Sequence, residues 1–213
     1  MKKYELTSEF KINIFGKKFF RIKALISFGD VTAGDMGGWI ESEKNLDQNG
    51  NAWVYGNARV YGNARVYGNA RVYGNAEVCG NAEVCGDARV YGNARVYGNA
   101  RVYGNAEVCG NAEVCGDAEV CGNAEVCGNA EVCGDAWVYG NADYTVIKGF
   151  GSCFRSTTFF RCKDKFVRVA CGCFYGTIDE FRAKVKETHK DTKLAVEYLK
   201  IADLMEYHFM EAK

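Results

Sequence analysis

Proline is absent from all 213 residues, and histidine occurs only twice, at positions 189 and 208. Without proline, no backbone N–H is missing from the chain, so every residue is available to a hydrogen-bonded ladder. Without histidine in residues 1–188, that stretch holds no imidazole to act as a base near neutral pH. Neither sign of charge is in excess: 27 Lys and Arg balance 27 Asp and Glu. No global field therefore draws the chain to nucleic acid or to an anionic membrane. Long apolar runs are missing too, none approaching the ~18–20 residues that span a bilayer. The opening MKKYELTSEFKINIFGKKFF lacks the apolar core of a signal peptide. A cytoplasmic location is the expectation. Eleven cysteines, an odd number, in a chain with no export signal point to reduced thiols rather than a disulfide framework.

What is abundant is glycine, 25 residues of it, and the reason is a repeat. From Asn51 to Gly140 the chain is fifteen consecutive hexads without an insertion: NAWVYG, three NARVYG, two NAEVCG, DARVYG, two NARVYG, two NAEVCG, DAEVCG, two NAEVCG and DAWVYG. Self-similarity at a short fixed period is the signature of a solenoid. Inside a hexad, A-R-V-Y alternates with period two, placing Ala and Val on one face and Arg or Glu with Tyr or Cys on the other. The Gly-Asn pair supplies the corner, since glycine accepts positive φ freely and Asn or Asp tolerate it better than other residues. A Gly-Asn pair every six residues excludes a helix.

The pattern resembles the hexapeptide-repeat family, whose aliphatic residue, and the small residue two positions before it, point into a left-handed parallel β-helix. The matching inward positions are Val54, Val60, Val66 and onward, with Ala52, Ala58, Ala64 and onward. The resemblance implies a triangular coil of three hexads. With that period the outward charges stack into three columns containing seven opposite-charge and three like-charge neighbours, a better balance than two hexads per coil would give. Five coils at ~4.8 Å make a rod of roughly 24 Å. Its ends need covering.

The expected fold is therefore mainly β: a solenoid over 51–142, an N-terminal β cap over 1–50, and a C-terminal module over 143–213 of a β-hairpin and two helices. Residues 9–27 read as two strands around Phe15-Gly16-Lys17-Lys18, and Lys163-Asp164-Lys165 as a second hairpin turn. Thr177 and Glu180 form a capping box for the first helix. The second carries an apolar stripe of Leu194, Tyr198, Ile201, Ala202, Met205 and Phe209. The segment AGDMGGWIESEKNL together with the VYGNARVYGNA repeats resembles hexapeptide-repeat proteins of bacteria, phages and prophages, which supplies context and no mechanism.

Many members of the resembled family are acyltransferases with a histidine base on the coil and inserted loops that bind the donor. Neither feature occurs in these hexads, so the expectation is a chain that is no enzyme, with no catalytic residue, cofactor or metal. A zinc site from Cys153, Cys162, Cys171 and Cys173 with His189 and His208 lacks the C-x2-C spacing that such sites use. In the eighteen-residue register Cys109 stacks over Cys127 and Cys115 over Cys133, within disulfide distance, but most repeat thiols have no such partner. The repeat cysteines therefore read as inert outward thiols, each raised in pKa by the Glu two residues before it. The favoured role is a scaffold or binding protein that self-associates or takes a protein partner, or a small anionic ligand. The alternatives are a phage accessory protein that binds a host protein or sequesters a nucleotide-like ligand, and a degenerate acyltransferase. Arg59, Tyr61, Arg65, Tyr67, Arg95, Tyr97, Arg101 and Tyr103, with Trp39, are the candidate binding surface. The pairing of Arg or Trp with Tyr, and of Glu with Cys, reads as the copying of whole repeat units.

Overall fold

The N-terminal residues form an antiparallel meander of β1 (Tyr4–Ile12), β2 (Lys18–Ala24) and β3 (Met36–Ile40). Every hexad then contributes one two-residue strand, fifteen in all, from β4 (Trp53–Val54) to β18 (Trp137–Val138). This computed structural model describes residues 1–151 and 153–210. Each of the first twelve solenoid strands pairs in parallel with the strand one coil later: Arg59 faces Glu77, Arg89 faces Glu107 and Arg101 faces Glu119. The separation is 18 residues, and the strands fall into three sheets, one per face.

The core is a column of Ala and Val. Val54 to Val138 and Ala52 to Ala136 are each no more than 1% exposed, and burying a valine contributes ~1.5–3 kcal/mol. At the corners only glycine is left-handed. Gly92 sits at φ +72°, and a Cβ there would lie 2.9 Å from the Gly110 carbonyl oxygen of the next coil. Glycine is thus needed twice over, for its φ and for the close stacking of corner on corner.

Asn does not share that task, contrary to the turn chemistry expected of it. Among the described residues, the non-glycine positions with positive φ are Phe154, Lys165 and Lys190. The asparagines instead form ladders. Asn75 Nδ2 donates to Asn93 Oδ1 at 3.1 Å, Asn93 to Asn111 and Asn111 to Asn129, each at 3.0 Å. Asp87 and Asp117 accept from Asn69 and Asn99 but have no N–H to pass the chain onward.

Both ends of the rod are covered. At the first, β3 pairs in parallel with the Arg59–Val60 strand and Leu46 bridges Val66, adding an irregular turn ahead of the first hexad. Tyr4 and Phe28 meet Trp53 edge-on, at ring distances of 6.0 and 5.4 Å. At the other end the expected hairpin proves to be the middle of a four-stranded antiparallel sheet: β19 (Tyr144–Phe150), β20 (Arg155–Arg161), β21 (Val167–Cys171) and β22 (Phe174–Thr177). Strand alternation gives this sheet two apolar faces. Phe160, Cys162 and Ala170 join the coil's core, while Phe159 and Val169 join α1 (Ile178–His189) and α2 (Lys193–Phe209). Thr158 Oγ1 accepts from the Glu131 N–H at 3.0 Å, closing part of the exposed sheet edge. The Thr177–Glu180 capping box forms as expected. On α2 the buried stripe uses Ala195, with Leu194 half-buried. No helix among the described residues is long and apolar enough to cross a membrane.

Candidate functional site

The three faces of the rod carry different charge sequences along the axis, and this decides which of their side chains remain open to a partner. One face stacks Arg59, Glu77, Arg95, Glu113 and Glu131. Arg59 is ion-paired with Glu77, and Arg95 with Glu113 at 3.4 Å. Another stacks Arg65, Glu83, Arg101, Glu119 and Trp137, with Arg101 3.8 Å from Glu83 and Lys163 reaching Glu119 at 2.8 Å. On these two faces opposite charges alternate and pair locally, except at Glu131, which stacks on the like-charged Glu113.

The tyrosines are tied into the same network. Tyr61 donates to Glu77, Tyr67 to Glu83, Tyr97 to Glu113 and Tyr103 to Glu119, at 2.8–3.3 Å. Each reaches across the cysteine one coil on, whose small side chain leaves the room. Arg is coupled to Tyr and Glu to Cys because they are the lower and upper halves of one inter-coil contact. The coupling also holds where like stacks on like, as at Arg71/Tyr73 over Arg89/Tyr91, so this contact accounts for it only where an Arg/Tyr unit stacks on a Glu/Cys unit. Desolvation and the neighbouring Cys79 and Glu77 push the Tyr61 hydroxyl above its usual range. The guanidinium groups of Arg65, Arg95 and Arg101 lie over the rings of Tyr67, Tyr97 and Tyr103 at 5.3–5.6 Å, within cation–π range. Each proposed Arg/Tyr pair is thus brought together, but mostly spent on contacts within the chain.

Trp39 is not on the surface. It is 2% exposed, covered as β3 docks on the first coil, with Lys11 Nζ 4.0 Å and Arg21 5.4 Å from its ring. The expectation of a binding role for Trp39 on an open surface is corrected accordingly.

The third face differs. Its column runs Trp53, Arg71, Arg89, Glu107, Glu125, two positive charges followed by two negative. Tyr73 and Tyr91 stack flat beside the arginines, with centroids 4.8 Å apart and planes 1° from parallel. Tyr55 meets Tyr73 edge-on at 6.5 Å. Arg71 is held by Asp30 at 2.8 Å and Arg89 by Glu107 at 3.0 Å, whereas Glu125 has no ion pair among the described residues. Burial and the Glu107 hydrogen bond raise the Tyr91 hydroxyl to about 12. Arg71/Tyr73 and Arg89/Tyr91 continue the outward Arg-Tyr alternation of the candidate surface, and the block of charge in their column is what sets them apart from its other pairs.

The cysteines also depart from expectation. Cys109 and Cys127 form a disulfide, their Cα atoms 4.6 Å apart, because parallel stacking brings thiols on successive coils inside bonding range. Reduced thiols throughout are therefore not what the structure holds. Nor are these side chains fully outward: Cys121 is 3% exposed and most others are half-buried. Cys115 is lowered to about 7, chiefly by a hydrogen bond from Cys133 and also by Tyr97, and Cys133 is raised correspondingly. Hydrogen-bond donors outweigh the repulsion of the neighbouring glutamates.

The C-terminal module adds a cavity of about 320 Å³ between the β21–β22 turn and the two helices. It brings together Cys153, Cys171, Cys173 and His189, four of the six residues grouped from the sequence as a weak zinc set. Cys162 faces the coil beside Asp135 instead, and burial with that carboxylate raises its thiol to about 12. His208 packs on Phe209.

A family model for the YdcK β-solenoid repeat matches residues 52–66, 64–80 and 94–110. A curated Escherichia coli (strain K12) protein named an uncharacterized acetyltransferase, YdcK, is 42% identical over 62 residues, 26% of this chain and 19% of the relative. The chain thus spans about a fifth of the length of the curated relative it matches. The expectation that the chain is no enzyme is corrected on this finding, since a protein sharing its sequence bears an acetyltransferase name. Outside the repeats, His189 lines the C-terminal cavity.

Proposed function

We propose that this chain, a hexapeptide-repeat β-helix protein, is a self-associating scaffold that docks one solenoid face against the same face of a second copy. The observation that carries the reading is the column Arg71, Arg89, Glu107, Glu125. A two-fold axis lying in the plane of the interface and perpendicular to the rod axis, level with the gap between the Arg89 and Glu107 rungs, sets Arg89 against the second copy's Glu107, and Arg71 against its Glu125. Such an isologous contact is self-complementary by symmetry. It relieves the like-charge neighbours that stack within each chain, each of which costs up to ~1 kcal/mol. The stacked tyrosines beside the arginines are residues favoured at interfaces.

The face measures roughly 24 Å by 15 Å on strand and rung spacings, or ~360 Å² per partner. That is ~720 Å² in total, below the ~1,000 Å² that a stable interface clears, so the dimer is a transient one, weak, concentration-dependent and screened by salt. Sedimentation velocity across a concentration series tests it. Wild-type protein dimerises at low ionic strength and dissociates in 1 M salt (a Debye length of ~3 Å), and the double variant Arg71→Glu/Arg89→Glu stays monomeric. Dimers that persist unchanged in that variant contradict the reading.

A second reading, acyl transfer, is favoured by the acetyltransferase name of the YdcK relative and by an imidazole and thiols sharing the C-terminal cavity. His189 is the residue suited to take a proton from an acceptor there. Incubation with an acetyl donor and a panel of amine and hydroxyl acceptors tests it, with His189→Ala as control. Turnover lost in that variant supports the reading, and turnover equal in both removes His189 from it.

A further inference from the structure

The C-terminal cavity is walled by rings and rimmed by cations, with no carboxylate in its lining. Phe174 and Phe181 lie 5.5 Å apart, Phe181 meets Tyr198 edge-on at 5.7 Å, and His189 stacks on Tyr198 at 5.7 Å. Arg155, Lys184 and His189 supply the polar rim. Lys184 shares its charge with the exposed Glu187 at 2.9 Å, while Arg155 has no ion pair among the described residues. Gly172 takes φ +60° in the β21–β22 turn, and the guanidinium lies beside it, with Nη1 2.6 Å from where a Cβ would stand. Immediately before Arg155, Phe154 is held at φ +50°, a left-handed conformation that costs an aromatic residue ~1–3 kcal/mol.

A volume of about 320 Å³ falls in the range of small-molecule sites, which pair an apolar body with a few placed polar groups. An arginine fork matches the oxygens of a carboxylate or phosphate. We propose that this cavity binds a small amphipathic anion, a flat apolar ring system carrying one carboxylate or phosphate, with the rings against Phe181 and Tyr198 and the anionic oxygens on Arg155. The site is separate from the solenoid face and does not depend on how the rod associates.

Ligand-observed NMR titration of the full chain tests the assignment with four probes: 1-naphthoate, naphthyl phosphate, neutral 1-naphthamide and acetate. Naphthoate, naphthyl phosphate or both bind, and the stronger of the two identifies the head group. Naphthamide and acetate bind at least about tenfold more weakly, each lacking one half of the recognition. Arg155→Gln weakens the anionic probes by about tenfold or more, and Thr188→Trp, at an exposed lining position, fills the cavity and abolishes binding. Thermal melts of both variants are compared with wild type, so that lost binding is scored only in folded protein. Equal binding of naphthamide and naphthoate, or anionic binding unchanged in Arg155→Gln, or no binding of either anion to folded wild-type protein, overturns it.

Discussion

At the scale of single residues, each letter of the hexad has one physical task. Ala and Val fill the core, glycine makes the corner, and asparagine passes a hydrogen bond from coil to coil. Asn93 shows why the amide is needed, since it accepts from Asn75 and donates to Asn111. In Asn93→Asp the acceptor remains, but a carboxylate oxygen faces the Asn111 carbonyl oxygen. We expect a loss of ~0.5–1.5 kcal/mol, since the ladder is exposed, read as a lower denaturant midpoint with an unchanged slope. Cys115 gives a second residue-scale test. Its folded pKa of about 7 lies below the ordinary 9.0 while its donor Cys133 is raised above it. The pair therefore adds stability as pH rises from about 7 to 9 and loses it again above 9, where the unfolded chain ionises both thiols. That contribution fades as pH falls and is gone below about 7. Alkylation of Cys115, followed by peptide mass spectrometry, should turn on near pH 7 and shift to higher pH in Tyr97→Phe.

At the scale of elements, the period-two alternation and the six-residue interval made the strands, the inward positions and the coil legible before any coordinates. The capping box at Thr177 and most of the α2 stripe were equally readable, because local hydrogen bonds and helical spacing decide them. Thr177→Ala removes the acceptor for the Glu180 N–H and should destabilise α1 by ~1 kcal/mol, seen as faster amide exchange in its first turn. What stayed hidden depends on contacts between distant segments. Trp39 looked exposed in an irregular glycine-rich stretch, yet pairing of β3 with the first coil buries it. The outer strands Tyr144–Phe150 and Phe174–Thr177 flank a recognisable hairpin across glycine turns at Gly151 and Gly172, but their own residues do not alternate clearly between apolar and polar. The cavity joins Arg155 to Tyr198 across a fold with no repeat to guide the eye.

At the scale of the whole molecule, the rod is a stack of nearly equivalent coils, each supported by the next. Removal of residues 75–92, three whole hexads, should leave a cooperatively folding protein about one rung (~4.8 Å) shorter, less stable by one interface and measurable by small-angle scattering. Charge breaks the equivalence of the faces. Two faces alternate in sign, except at Glu131, and one is divided into a basic and an acidic block, the arrangement that fits a second copy running the other way. The central claim is tested most directly by mixing two charge-reversed proteins, Arg71→Glu/Arg89→Glu and Glu107→Arg/Glu125→Arg, and measuring molar mass by light scattering. Each variant alone, with four like charges on the face, should run as a monomer, and the equimolar mixture should give a salt-sensitive heterodimer. A mixture that remains monomeric while wild type dimerises, or variants that each dimerise alone, would contradict it.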